Sequence, residues 1–330
     1  MSDQSILLLT GSEIRTALSM HDAIEGMRRG FAALSLGEAN VPMRTFIPLE
    51  GFEGSALFMP AYSQPEGSYA VKVASVHKGN AAKGIDAVQA LVALFDAETG
   101  RVVAIMEGMA ITAIRTGAGS GLATGLLARA NSRVAVIFGS GVQARTHLEA
   151  VCCTRDIELA YCIGRSLAKA RVFASEMSTE LQIEVTATDD KAVVGEADVI
   201  CTTTTATEPI LFANQLKKGV HINAVGTHRP GDAEIADDVV VAAKIVVDHR
   251  QACLAEAGDI IRPIEAGLMS EDHIFAELGE IAAGQKPGRE NDEEITLFKS
   301  VGNAIQDLVA ATTAVKNARR LGLGTEVKLT

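Results

Sequence analysis

Three basic residues stand in surroundings that ordinarily exclude charge. Lys72 lies within YAVKVASV, where strand alternation puts it on the face opposite Val71 and Val73. Arg115 lies within the small-residue string ITAIRTGAGSG, and Arg44 follows Val41, Pro42 and Met43. A cation inside an apolar pattern needs a partner, and a bound substrate carboxylate is a good one. Taken singly, each also reads as a surface or salt-bridged residue. The first reading gives a site that clamps a small carboxylic acid.

A second group of residues suits a phosphate-bearing ligand. In RVAVIFGSGVQA the apolar run Val134 to Phe138 leads directly into Gly139, Ser140, Gly141, Val142, Gln143 and Ala144. A strand that enters such a turn before a helix lets the backbone approach a pyrophosphate and aims a helix N-terminus at it. Ala144 takes the third small position, which allows close packing of helix on strand. The next strand, Leu159 to Ile163, ends in Gly164 and Arg165, where an acidic residue would accept hydrogen bonds from a ribose 2′-hydroxyl. A guanidinium in place of that carboxylate favours a 2′-phosphate, so NADP(H) is expected, with NAD(H) the alternative. His228, in HINAVGTHRPGDAEI, follows a strand over His221 to Val225 at the end of the sheet where ligands bind. It suits proton transfer near neutral pH, or else orders its own Gly/Pro-rich loop.

The elements that must carry these residues fall into two styles. The apolar spacing of Ile14, Leu18, Met20, Ile24, Met27, Phe31 and Leu34 predicts a helix ending at Gly37. Strands are predicted at Ser55 to Met59, Tyr69 to Val76, Ala90 to Asp96 and Val102 to Met106, which form a separate sheet. A helix rich in small residues, Thr112 to Ala130, then delivers the chain to an alternating region. There, strands at Val134 to Phe138, Leu159 to Ile163, Ile183 to Ala187, Val199 to Thr202, His221 to Val225 and Lys244 to Val247 alternate with helices that begin near Val142, Ser166 and Asp189. That alternation is the mark of a parallel sheet with crossovers. The segment ELGEIAAGQKPGR is helical with a Gly/Pro stop. A strand-like start and a long helix from about Gly302 to Leu321 follow, and this helix is expected to pack back onto the first part.

Composition narrows the function classes. With 330 residues, 48% hydrophobic and 22% charged, the chain has the make-up of a globular protein of two or three domains. A formal net charge of -11 argues against nucleic acid as a partner. Apolar runs are interrupted well before membrane-spanning length, and no secretory signal is evident. The five cysteines are without metal-ligand spacing, which fits a reducing cytoplasm and no metal site.

The strings VKVASVHKGN, LFDAETG, ITAIRTGAGS, VIFGSGVQARTH, ADVICTTTTATEP, HINAVGTHRPGDAE, ELGE and KSVGNAIQDL together resemble the ornithine cyclodeaminase and mu-crystallin family. They run in the expected order from about Arg44 to Leu308. The resemblance implies an α/β protein with a Rossmann domain (126–299) and an α+β substrate-binding and dimerisation domain built from both chain ends (1–125 with 300–330). It implies a homodimeric enzyme whose active site lies between the domains. Arg44, Lys72 and Arg115 match the family positions that bind the substrate carboxylate, and Asp307 matches an acidic position near them. Gly139, Gly141 and Ala144 match its dinucleotide turn; Thr202 and Thr203, like Val225 at the end of the fifth strand, fall beside the cofactor.

One departure bears on the reaction. Where the cyclodeaminases carry a catalytic aspartate, this chain has His228. A carboxylate suits the handling of an ammonium group in cyclodeamination, whereas reduction of a cyclic imine demands less. The expected activity is therefore reduction of Δ1-pyrroline-2-carboxylate or Δ1-piperideine-2-carboxylate to the L-amino acid, with Lys72 or His228 managing the proton. Ornithine cyclodeamination, an alanine-type dehydrogenase and a crystallin-like binding role are the alternatives.

Overall fold

The computed structural model describes residues 5–328. The chain divides into two compact units, one formed by residues up to Arg115 together with those from Asn303 onward, the other by Thr116–Gly302.

The first unit begins with β1 (Ser5–Leu9), α1 (Gly11–Ala17) and α2 (Met20–Ser35). The apolar spacing predicted one helix here, but two form. Ser19 breaks the run because its hydroxyl accepts from the Asp22 N–H and starts α2 afresh. Next come β2 (Ala39–Asn40), β3 (Thr45–Leu49), β4 (Gly54–Ser63), β5 (Ser68–His77), β6 (Val88–Asp96) and β7 (Val102–Glu107). These strands run in the order β1-β7-β6-β5-β4-β2, with β3 also paired to β4. All pairs are antiparallel except β1 with β7. The chain then enters α3 (Gly108–Leu127), whose N-terminus is capped by the Glu107 carboxylate accepting from the N–H groups of Met109 and Ala110.

The second unit is a parallel sheet with crossovers. Its strands are β8 (Val134–Phe138), β9 (Leu159–Ile163), β10 (Glu184–Thr188), β11 (Val199–Thr202), β12 (His221–Ala224), β13 (Lys244–Val247), β14 (Ile274–Glu277) and β15 (Thr296–Lys299). The order β10-β9-β8-β11-β12-β15-β13-β14 reverses direction between β8 and β11, the crevice where dinucleotides bind in doubly wound sheets. The Rossmann class expected from the alternating pattern is therefore present. Helices α4 (Val142–Thr154), α5 (Leu167–Leu181), α6 (Asp237–Ala242), α7 (Arg250–Glu256), α8 (Gly258–Glu265) and α9 (Leu278–Ala282) complete the unit. The helix expected near Asp189 is only a short 3-10 turn, Lys191–Glu196, capped by Asp190. Val136, Ile200 and Ile222, fully buried on adjacent strands, show why the sheet reads as continuous apolar runs.

The chain returns to the first unit as α10 (Ala304–Leu321) and closes its sheet with β16 (Thr325–Lys328), antiparallel to β1. Within this unit α10 packs against α1, α2, β4, β5 and β6. The sheet thus has one face covered by helices, carrying the register row Met59, Lys72, Val92, Met106 and Leu9. Its other face carries the row Pro60, Val71, Ala93, Ile105 and Leu8, with Ile105 and Leu8 each 37% exposed.

Candidate active site

Lys72 does point away from Val71 and Val73, but the face it occupies is the buried one, between Ala70 and Ala74. Both faces of this sheet are apolar, so alternation does not deliver the lysine to solvent. Its partner is supplied by α10. Lys72 Nζ donates to Asp307 Oδ1 at 3.0 Å and lies 2.9 Å from Oδ2. Arg115, six per cent exposed on α3, places Nε 3.2 Å from the same Oδ1 and donates from Nη1 to Gln306 Oε1 at 2.8 Å. Gln306 Oε1 also accepts from the Asn303 N–H at 3.0 Å, which ties the helix start to the arginine.

Three of the expected residues are thereby joined, and Arg44 is near enough to act on them electrostatically. Burial, opposed by Asp307 and reinforced by Arg115 and Arg44, pulls the Lys72 ammonium down to about 8. Lys72 and Arg115 share the Asp307 carboxylate, two cations on one anion, so this trio carries a net positive charge. Such a cluster can take up an anion, because a carboxylate offsets charge that Asp307 leaves uncompensated.

The second unit gathers the expected cofactor residues at the carboxyl ends of β8, β9, β11 and β12. Gly139 has φ +112°, and a Cβ there would lie 2.8 Å from Thr203 Oγ1 and 2.9 Å from the Thr203 carbonyl oxygen. Thr203 is fixed in that position by donating to the Phe138 carbonyl oxygen through both its N–H, at 2.9 Å, and its hydroxyl, at 2.8 Å. Gly141 is different, since a Cβ there would meet nothing within 4 Å. It is also the N-cap of α4 and gives that helix no side-chain cap. Val142 is exposed, Gln143 has a buried Oε1 without a hydrogen-bond partner, and Ala144 is fully buried against the sheet. An open glycine, an uncapped helix start and an unsatisfied amide oxygen fit a dinucleotide pyrophosphate and its ribose.

Gly164 sits beside this turn, with its absent Cβ 3.7 Å from Ser140 Oγ, and Arg165 and Ser166 after it are exposed. The Thr202 hydroxyl turns inward to the buried Glu234, while its carbonyl oxygen accepts from the Val225 N–H at 3.1 Å. His228 is exposed on the loop after β12, in a different unit from Lys72.

Sequence reasoning missed Gln306, Glu234, Asp259 and Lys299. The last two form an ion pair at 2.6 Å with neither side chain exposed. Asp259 also accepts from Thr227 Oγ1 at 2.8 Å, so the residue before His228 is anchored from beneath. A charged residue inside the apolar string ITLFKS was the available signal for Lys299. Among the described residues no group of three or more acidic, histidine or cysteine side chains is placed to hold a metal, and no helix is long and apolar enough to cross a membrane.

Known proteins place this arrangement in context. The sequence model for the ornithine cyclodeaminase/mu-crystallin family matches residues 4–321. A Δ1-pyrroline-2-carboxylate reductase of Bacillus cereus is 38% identical over 330 residues, covering 98% of this chain and 100% of the relative. The ketimine reductase mu-crystallin of Mus musculus is 39% identical over 298 residues, covering 90% and 91%. The solved structure of Thermococcus litoralis Δ1-pyrroline-2-carboxylate reductase with NADH and L-proline is 44% identical and superposes with a TM-score of 0.93, covering 98% of this chain and 100% of the other. With the expected motifs on the expected elements and a match over nearly its whole length, the chain belongs to the ornithine cyclodeaminase/mu-crystallin family.

Proposed function

We propose that this protein is an NADPH-dependent reductase of a small cyclic α-imino carboxylate, Δ1-pyrroline-2-carboxylate or its six-membered homologue, yielding the L-amino acid. The observation that carries the reading is the buried cluster of Lys72 and Arg115 on Asp307, with Arg44 adding further positive charge. It is supported by the relatives' reductase activity over full-length matches.

Arg44 and Arg115 bind the substrate carboxylate and orient the ring, which removes much of the entropic cost of reaction. Gly139–Ala144, with Thr203 and Val225, would hold the dinucleotide, which would supply the hydride for C2. Lys72 supplies the proton that the ring nitrogen needs as the C=N double bond becomes CH–NH. A lysine brought down to about 8 suits that task, being mostly charged at neutral pH yet able to give up its proton and regain it from solvent. His228 takes a smaller part, at the loop that borders the dinucleotide.

Preference for NADP(H) over NAD(H) rests on Arg165, exposed where a carboxylate would repel a 2′-phosphate, with Lys169 exposed one helical turn away. The open face of the first unit's sheet supports homodimerisation. Leu91 and Ile105, 44% and 37% exposed, and the stacked pair Tyr69 and Phe95 form an apolar surface without helices over it. The five free thiols fit a cytoplasmic protein.

The experiment is to mix the purified protein with Δ1-pyrroline-2-carboxylate and either NADPH or NADH and follow loss of reduced cofactor. Turnover with a lower KM for NADPH is expected, and Arg165→Ala should raise that KM about tenfold while leaving the one for NADH nearly unchanged. Proline and ammonia formed from ornithine with catalytic NAD, without reductase activity, would replace this reading by cyclodeamination.

A further inference from the structure

Glu234 is a fully buried acidic residue that the proposed reaction leaves without a task. Its carboxylate accepts four hydrogen bonds from two separate loops. Oε2 takes the Thr202 hydroxyl at 2.8 Å and the Gly226 N–H at 2.8 Å, and Oε1 takes the Thr204 N–H at 2.8 Å and the Thr204 hydroxyl at 2.6 Å. Thr202–Thr204 is the exit of β11, and Gly226 lies just past β12. Both exits lie at the carboxyl end of the sheet, where a dinucleotide is held.

We propose that Glu234 is a positioning residue for the dinucleotide, latching the loop after β11 to the loop after β12 and so setting the backbone against which the cofactor lies. The inference rests on reading this unit as the dinucleotide site. Three observations carry it. The two loops approach so closely that a Cβ on Gly226 would lie 2.4 Å from the Thr204 carbonyl oxygen and 2.5 Å from the Glu234 carboxylate. Thr203, between two of the latched positions, is the residue that abuts Gly139 of the glycine turn. Glu234 is itself held, because its N–H and that of Ile235 donate to Asp259 Oδ1 at 2.7 and 2.9 Å. Asp259 in turn is paired with Lys299, whose Nζ also donates to the Thr227 carbonyl oxygen at 2.8 Å.

A carboxylate suits this place because all four partners are donors, and it accepts on both oxygens. Burial pushes Glu234 above the usual carboxylate range, against the four donors and the Lys299 charge, which act to hold it ionised. Glutamine keeps the shape but turns an NH2 group toward two donors, leaving N–H groups buried without an acceptor. A core that only needed filling would be served as well by an apolar side chain.

The test measures NADPH and NADH dissociation constants by reduced-nicotinamide fluorescence for wild type, Glu234→Gln and Thr204→Val. The second variant keeps the side chain's shape, removes the hydroxyl that donates to Glu234 and accepts from the Ala206 N–H, and carries the test if the first does not fold. Expected are a weakening of about tenfold or more for Glu234→Gln and about threefold for Thr204→Val. At saturating cofactor kcat should stay near wild type and the imino-acid KM should not move, while amide hydrogen exchange at Gly226 and Thr204 speeds up in the free protein. Folded variants that bind both dinucleotides as wild type does would overturn the latch alone. Wild-type protein that binds neither dinucleotide would instead overturn the reading of the site on which the latch depends.

Discussion

Lys72 and Asp307 lie 235 positions apart in sequence, yet the lysine Nζ donates to the aspartate Oδ1 at 3.0 Å in the interior of the first unit. The carboxylate does not cancel the site's charge, since Arg115 shares it and Arg44 adds to the repulsion felt by Lys72. With two cations on one carboxylate, the trio of Lys72, Arg115 and Asp307 carries a net positive charge.

This arrangement sets a pH dependence. With Lys72 brought down to about 8, kcat/KM for imine reduction should fall as pH rises through about 8, and the reverse oxidation should rise there. The ordinary lysine value is 10.5, so the folded protein releases this proton before the unfolded chain does. Stability from this group accordingly increases between about 8 and 10.5 and is lowest below 8. Lys72→Met should abolish reduction and remove the rise in stability between about 8 and 10.5. Rate profiles and denaturant unfolding at several pH values check both halves; a flat profile from pH 6 to 10 would remove Lys72 from proton transfer.

The two glycines of the turn should behave oppositely. Gly139→Ala meets a strained φ of +112° and the backbone of Thr203, so it should lower stability by about 1–3 kcal/mol and also lose dinucleotide binding. Gly141→Ala has open space, so its thermal midpoint should match wild type. Its methyl group would nevertheless stand where a pyrophosphate approaches the backbone, and dinucleotide affinity should drop about tenfold or more. Calorimetry alongside cofactor titration separates the two, and equal affinity for Gly141→Ala and wild type would place the cofactor elsewhere.

The open sheet face predicts an assembly. Ile105→Glu, in the register row with Leu8, Ala93 and Val71, should convert a dimer to a monomer by light scattering while leaving circular dichroism unchanged. A wild-type monomer at micromolar concentration would rule out this face as the interface.

Much of the second unit was readable from sequence because its signals are local. Val134–Phe138 runs into a glycine turn, and β8, β9, β11 and β13 occupy the expected residues. Features that interrupt an apolar run, or that distant parts of the chain set, were not readable. The helix through Leu18 looked continuous until the Ser19 cap divided it, and β3 with its exposed Phe46 and Ile47 lacks the alternation that marks a strand. At the site, cations within apolar strings were visible as anomalies, and it was the family resemblance, not any local pattern, that pointed to Asp307 on a helix far along the chain. Glu234 gave no signal at all, since an acidic residue in a Gly/Pro-rich loop ordinarily faces water.

The first unit takes its α10 from residues synthesised after the whole of the second unit. On the ribosome, Lys72 and Arg115 therefore emerge long before Asp307, and a strand bearing a buried lysine has no counter-charge to fold against. The contiguous second unit can reach its native form during synthesis, while the first stays open until α10 clears the exit tunnel. A chain ended just after Gly302 should thus yield a folded second unit joined to a collapsed, aggregation-prone remainder.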